Sequence, residues 1–332
     1  MNQQSIVSVI IPVFNGAPYV QVAVESVLNQ TFKNFEIIVV DDGSTDNTRD
    51  VLESYIQLNK IKYIHQNNKG ISHSRNLGIK FATGEFLKFL DSDDFLYTNQ
   101  LELQVKDLIE QGSDISISNY NHLYDHGKVG IRKNIIIKKS YQLVDFIRAN
   151  RAPVHSFMVR KNIIVKVDGF DETLTAFEDY DLWLRLIING AKVSLVDYIG
   201  CCYRIHNKSI SSDDKLLTLQ KFKMWEKINQ ILLDNFNSLN KNVLDALLWN
   251  NFKLIHLSLL IKCSNEISLF YIHKMAKKIF LMRKKGLKLF IFKLLGIKKF
   301  SYLHYKVNIL KKGYKEMLLN EEKRWRSDES VY

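Results

Sequence analysis

Three carboxylates crowd one short stretch, Phe86-Leu87-Lys88-Phe89-Leu90-Asp91-Ser92-Asp93-Asp94, directly after an apolar run. A strand tip fixes backbone while the loop beyond it exposes side chains, so acids there can share a divalent cation with a substrate's phosphates. Two carboxylates plus substrate oxygens suit Mg²⁺ or Mn²⁺. The competing reading is a plain turn whose Asx residues cap a helix beginning near Thr98. A second acidic turn, Asp41-Asp42-Gly43-Ser44-Thr45-Asp46, leaves another apolar run. Asp46 and Asn47 can cap the following helix and Gly43 can permit the turn. Capping has no use for two further carboxylates, which can accept bonds from a nucleobase N–H or a ribose hydroxyl. A third acid pair, Glu178-Asp179, opens a pattern in which Leu182, Leu186 and Ile187 bury one helix face and leave the pair at the N-terminal end. Acids in a first turn also simply complement the helix macrodipole.

The elements that must hold these groups follow from periodicity. Ile6 to Val13, Glu36 to Val40, Ile61 to His65, Phe86 to Leu90 and Asp114 to Ser118 read as strands. Between them Val20, Ala23, Val24, Val27 and Leu28 form a helical stripe, as do Val51, Leu52, Tyr55 and Leu58. Continuous apolar strands alternating with amphipathic helices predict an α/β domain with a mostly parallel sheet flanked by helices. Ligands in such sheets gather at the carboxyl ends of the strands, where Phe14-Asn15, Asp41-Asp42 and Asp91 to Asp94 all fall.

The chain of 332 residues is long enough for one large domain and an appendage. From about 220 onward the strand pattern stops, and Trp225, Ile228, Ile231 and Leu232 carry helical spacing. The expected division is a catalytic domain over 1–215, split near 118, and a helical, basic region over 216–332. The net charge is +12, but 274–315 holds fourteen Lys or Arg and no acid, so the remainder sums to −2. Basicity therefore belongs to one segment. Cys201, Cys202 and Cys263 are odd in number and lack metal-ligand spacing, so neither a disulfide framework nor zinc is expected. No basic leader precedes the first apolar run, and no apolar stretch reaches roughly 18 residues, which predicts a cytoplasmic protein.

Six motifs occur in order: Val7-Ser8-Val9-Ile10-Ile11-Pro12-Val13-Phe14-Asn15, the Asp41–Asp46 turn, Asn68-Lys69-Gly70 with Ser74-Arg75-Asn76, Gly84-Glu85-Phe86, Asp91-Ser92-Asp93-Asp94, and Glu178-Asp179-Tyr180-Asp181-Leu182-Trp183-Leu184-Arg185. Together they resemble family 2 glycosyltransferases of the GT-A fold, over roughly residues 5 to 212. The resemblance implies a nucleotide-sugar donor, a UDP-sugar, together with Mn²⁺ or Mg²⁺ and inversion at the anomeric carbon. By the same resemblance Pro12, Phe14, Asn15, Asp42 and Ser92 hold the donor, Asp91 approaches ribose or sugar, and Asp93 with Asp91 ligates the metal. Asp94 has no role beyond a cap or a supporting bond. Asp179 is the candidate base and Glu178 lies on the acceptor side. Tyr203-Arg204-Ile205-His206 resembles a late basic loop in which Arg204 pairs with phosphate and His206 is a third metal ligand, against a His that is structural or solvated. Arg75 and Asn76 contact the donor, or else face solvent and backbone respectively.

Lys277-Lys278, Arg283-Lys284-Lys285, Lys288, Lys293 and Lys298-Lys299 interleave with an apolar face at Leu287, Phe290, Ile291, Leu294 and Ile297. A basic amphipathic helix suits an anionic membrane surface. Packing on the catalytic domain is the alternative, and nucleic acid is not expected because no binding module accompanies the charge. The expected function is an inverting glycosyl transfer to a glycan or lipid-linked acceptor in surface polysaccharide synthesis, at the cytoplasmic face of the inner membrane. The rivals are a nucleotidyltransferase of similar fold and a non-catalytic membrane-associated scaffold. Phe14-Asn15-Gly16-Ala17-Pro18 lacks the Gly-rich, Lys-containing loop expected of a nucleotidyltransferase.

Overall fold

The computed structural model describes residues 7–124, 141–205 and 214–234, with 239, 242–247 and 250. His206 and the basic stretch 274–315 lie outside the described residues. The chain divides into two compact units, Met1–Met224 and Trp225–Tyr332.

Within the first unit, β1 (Val7–Val13), β2 (Phe35–Asp41), β3 (Lys62–His65) and β4 (Phe86–Phe89) alternate with α1 (Val20–Leu28), α2 (Thr48–Gln57) and α3 (Ile71–Phe81). All seven residues of β1 are buried, as a strand covered on both faces requires. The apolar stripe of α1 is buried at Val20, Ala23, Val24 and Val27. The second half of the unit holds β5 (Phe95–Leu96), α4 (Gln100–Glu110), β6 (Ile115–Tyr124), α5 (Leu143–Arg148), a 3-10 turn (Val154–Ser156), β7 (Phe157–Arg160), α6 (Lys161–Val165), α7 (Glu178–Ile188) and β8 (Val193–Ile205). A further helix, α8, runs Asp214–Asp234.

The strands form one sheet in the order β3-β2-β1-β4-β7-β6-β8-β5. β3, β2, β1 and β4 are mutually parallel, so their carboxyl ends share one edge. β7 then pairs antiparallel with both β4 and β6, β8 runs parallel to β6, and β5 returns antiparallel along β8. Three antiparallel contacts thus complete a sheet whose first four strands in chain order are wholly parallel. The expected strand at Asp114 to Ser118 proves longer, because β6 runs on to Tyr124 against β8.

A buried polar chain threads the second half. Lys88 of β4 is fully buried and donates from Nζ to Gln104 Oε1 at 2.6 Å. Gln104 Nε2 donates to the carbonyls of Ser116 and Ser156 at 2.9 and 2.8 Å, tying α4 to β6 and to the 3-10 turn. Burial lowers the Lys88 amine to about 7. On the opposite side α7 seats Trp183 flat on Phe157 of β7, ring centres 4.2 Å apart. That stacked pair anchors the helix whose first turn carries Glu178 and Asp179.

Candidate functional site

The tips of β1 and β2 lock each other. Asn15 adopts a left-handed φ of 51°, and its Oδ1 accepts from Thr45 N at 2.8 Å while its own N–H donates to Ser44 Oγ at 2.9 Å. Asp46 accepts from Thr48 N at 3.0 Å, so the expected helix-start bond is made by Asp46 and not by Asn47. Gly43 is required on two grounds: its φ is +83°, and an added Cβ would sit 2.9 Å from the backbone nitrogen of Asn68.

Of this turn's carboxylates, Asp41 and Asp42 at the strand tip are buried and bonded. Asp41 accepts from Ser44 N at 2.8 Å and from the Tyr63 hydroxyl. Asp42 accepts from Gln66 Nε2, Lys69 N and Gly70 N at 2.6, 2.9 and 2.8 Å, which fastens the 66–70 loop and thereby the start of α3. A carboxylate offers about four acceptor positions, of which these bonds take three. Pro12 is buried within β1, whereas Phe14 beside it is half exposed at 51%, a large aromatic left on the surface. An exposed ring at a strand tip offers a face on which a planar base can stack.

At the tip of β4, Ser92 packs against Gly16, whose hypothetical Cβ would lie 3.2 Å from Ser92 Oγ. The acids here do not cap α4, since its N-cap is Asn99 and carries no side-chain bond. Asp94 is buried, accepts from Arg204 N at 2.6 Å through Oδ1, and lies 3.0 Å from His155 Nδ1 through Oδ2. Burial raises Asp94 to about 6 against the opposing pull of His155. Burial alone would lower the His155 imidazole, but the neighbouring Asp94 overrides it and raises it. Arg204 also donates from Nε to the Asp93 carbonyl at 2.9 Å, and its guanidinium lies 4.9 Å from the centre of the Tyr19 ring. Arg204 is therefore the end of β8 gripping the acidic loop, where a basic loop was expected.

Arg75 of α3 joins the two acidic clusters. It is 2% exposed and donates from Nη2 to Asp91 Oδ1 and from Nη1 to Glu178 Oε1, both at 2.6 Å. Burial would lower it, but the two carboxylates override this and raise it. One guanidinium therefore holds the β4 tip against the start of α7, 103 residues away in sequence from Arg75. Asn76 on the same helix clamps the 170–172 segment, donating to the Phe170 carbonyl and accepting from Phe170 N at 2.9 and 2.8 Å.

Asp179 follows directly. Its Oδ1 accepts from Tyr180 N at 2.6 Å and its Oδ2 from Asn150 Nδ2 at 3.1 Å. Burial, reinforced by the charge of Glu178, pushes it up to about 7, while Arg75 and Asn150 pull the other way. A carboxylate poised there can exchange protons near neutrality. Phe177 just before the helix is left-handed at φ 63°, a conformation that costs a bulky residue roughly 1–3 kcal/mol and marks the start of α7 as strained.

Among the described residues Asp91, Asp94 and His155 bring one ligand atom each within 4.8 Å of one another. Asp94 and His155 are wholly buried and occupied with each other, whereas Asp91 is a quarter exposed. Hard carboxylate oxygens on a strand-tip loop fit Mg²⁺ or Mn²⁺. Asp93 lies outside that trio and on the same loop. The structure thus brings Asp91, Asp94, Arg75, Glu178 and Arg204 into one bonded cluster, with Asp179 adjoining it, and sets Asn15, Asp42 and Asn76 to hold turns and loops. His155 and Asn150 carry contacts that sequence reasoning did not assign. A lone His and a lone loop Asn have no local signature, and both meet their partners through folding.

The chain is similar to several known proteins. The sequence profile of "Glycosyl transferase family 2" matches residues 8–172. A β-1,3-glucosyltransferase of Escherichia coli, WfaP, is 31% identical over 212 residues, covering 63% of this chain and 80% of that protein. An uncharacterized glycosyltransferase of Rickettsia bellii is 35% identical over 187 residues, and one of Rickettsia felis 44% identical over 122. The matched parts cover 54% and 37% of this chain but only 27% and 20% of those relatives. TarS of S. aureus, residues 1–349 in complex with UDP-GlcNAc, superimposes with a TM-score of 0.66 at 20% identity, covering 83% of either chain. The chain belongs to glycosyl transferase family 2, and its mixed sheet with flanking helices is the GT-A fold.

Proposed function

We propose that this chain is an inverting glycosyltransferase that moves a sugar from a UDP-sugar to the hydroxyl of a glycan or lipid-linked acceptor in the synthesis of a surface polysaccharide. The observation that carries the reading is the Arg75 bridge, which sets the base candidate of α7 beside the acidic loop of β4. Two likenesses support the substrate classes. WfaP is named for UDP-Glc as donor and an α-D-GlcNAc-diphosphoundecaprenol acceptor, and TarS carries UDP-GlcNAc.

Phe14 offers the base a stacking face, Pro12 shapes the strand beneath it, and Asp42 accepts from the nucleoside with its remaining lone pair. Asp91 and Asp93 would hold a divalent cation, which neutralises the charge that grows on the departing diphosphate. Asp179 takes the proton of the acceptor hydroxyl. The freed oxygen bonds to the anomeric carbon from the face opposite the diphosphate, and the breaking C–O bond leaves its electron pair on the phosphate oxygen. Holding both substrates in line supplies a further part of the acceleration, since an ordered pair avoids the entropy of a bimolecular encounter. Arg75 keeps Asp91 and Glu178 in place. His206 as a metal ligand and the 274–315 stretch as a contact for the anionic cytoplasmic face of the membrane belong to the same proposal.

The test is Asp179→Asn. UDP binding should survive while turnover falls by roughly 10² to 10⁴, the usual worth of a positioned base. Near-normal transfer would remove Asp179 from its role.

A further inference from the structure

We propose that Asn150 is a positioning residue for the base: its side-chain amide pins the Asp179 carboxylate in the orientation from which it takes the acceptor's proton. The inference rests on the reading of Asp179 given above. Asp179 is held by two donors from different stretches of chain, Tyr180 N of its own helix at 2.6 Å and Asn150 Nδ2 of the loop after α5 at 3.1 Å. One bond would leave the carboxylate free to turn about its terminal torsion, which is broad and two-fold. Two bonds on different oxygens remove that freedom and still leave each oxygen a lone pair.

The loop that presents Asn150 is itself tied down. Arg151 donates from Nε at 2.8 Å, and from Nη2, to the Asp145 carbonyl at the base of the loop. Its guanidinium lies 5.4 Å from the centre of the Tyr141 ring. On the far side the hydroxyl of Tyr180, the residue after the base, donates to the Phe146 carbonyl of α5. The helix carrying Asp179 and the helix feeding the Asn150 loop are therefore joined one residue from the carboxylate. An amide presented this firmly can select a rotamer, as outer-sphere partners do for ligating side chains elsewhere.

The charged groups facing Asp179 are Glu178 on its own helix, which raises it, and Arg75 from α3, which lowers it. The Asn150 amide adds to the lowering side because it bonds the charged form. Its loss must therefore move the Asp179 titration to higher pH, an effect that mere space-filling would not have.

The experiment uses the full chain labelled with ¹³Cγ-aspartate, so that Asp179 is titrated by NMR and identified through its loss in Asp179→Asn. Release of UDP from UDP-glucose and from UDP-N-acetylglucosamine is followed in parallel, with water standing in for the acceptor. Asn150→Ala should shift the titration upward and lower kcat by roughly tenfold to a hundredfold, with UDP affinity retained. Asn150→Asp keeps the shape but exchanges the donor for a like charge, and should shift it further. Wild-type titration and kcat in both variants, alongside an inactive Asp179→Asn, would overturn this inference and leave the base intact. Normal turnover by Asp179→Asn would instead overturn the base and with it the catalytic meaning of the Asn150 contact.

Discussion

At the scale of single residues, the buried charges of the site face partners, Arg75 between Asp91 and Glu178 and Asp94 against His155. Asp179 is raised to about 7 by burial and by Glu178. Because its folded value lies above the ordinary carboxylate range, its contribution to stability is complete below about pH 4 and is lost as pH rises through about 7. At pH 8 the charged carboxylate is a burden. Asp179→Asn should therefore raise stability by about 1–3 kcal/mol at pH 8 and by less at pH 4, measured by urea denaturation at both values. Catalysis runs the other way, with kcat rising as pH passes through about 7. Arg75 gives the opposite kind of case, since Arg75→Met leaves Asp91 and Glu178 facing each other without their shared partner. The expected loss is roughly 3–5 kcal/mol in the same denaturation assay, the usual cost of breaking a buried pair from one side. Asp93→Ala should weaken UDP binding in the presence of Mn²⁺, and calorimetry that finds binding unchanged and indifferent to chelator would separate Asp93 from the metal.

At the scale of elements, the sequence was most readable where one element satisfies itself. The runs that became β1, β2 and β4 are rich in β-branched or aromatic residues and mostly buried, so composition marks them, whereas β3 is an outer strand with Lys62 and His65 exposed. β5 and β7 are two and four residues long, too short to show a period, and exist because neighbours pair with them. β8 reads poorly for another reason. It is thirteen residues long with a register shift against β6 near Ser118 and Asn119, so its alternation is broken. The acidic turns were legible as chemistry, yet their bonding was not. Asp42 spends three bonds on the 66–70 loop and Asp94 turns inward to His155, and both facts depend on residues 24 or more positions away. The turn after β2 yields a clean element-scale test. Gly43→Ala combines a left-handed φ with a close approach to Asn68 N, and should cost roughly 1–3 kcal/mol and weaken UDP binding through the displaced loop.

At the scale of the molecule, the parallel half brings three acidic or polar tips to one sheet edge, and the antiparallel half supplies the braces. No described helix is long and apolar enough to cross a membrane. The proposed membrane contact through 274–315 predicts that the intact chain sediments with anionic vesicles in a salt-sensitive way and that removal of residues 270–332 abolishes this; equal sedimentation of both forms would refute it. The brace between Arg204 and Asp94 spans 110 positions of chain. A polypeptide emerging from the ribosome at roughly 5–20 residues per second must wait several seconds after Asp94 appears before its clasp is made. Until β8 arrives, β5 just after the acidic loop lacks its pairing strand and the loop lacks the arginine that grips it. The nascent chain can assemble its first four strands from pairings made within residues 7–89, but the acidic loop is clasped only once β8 has been made.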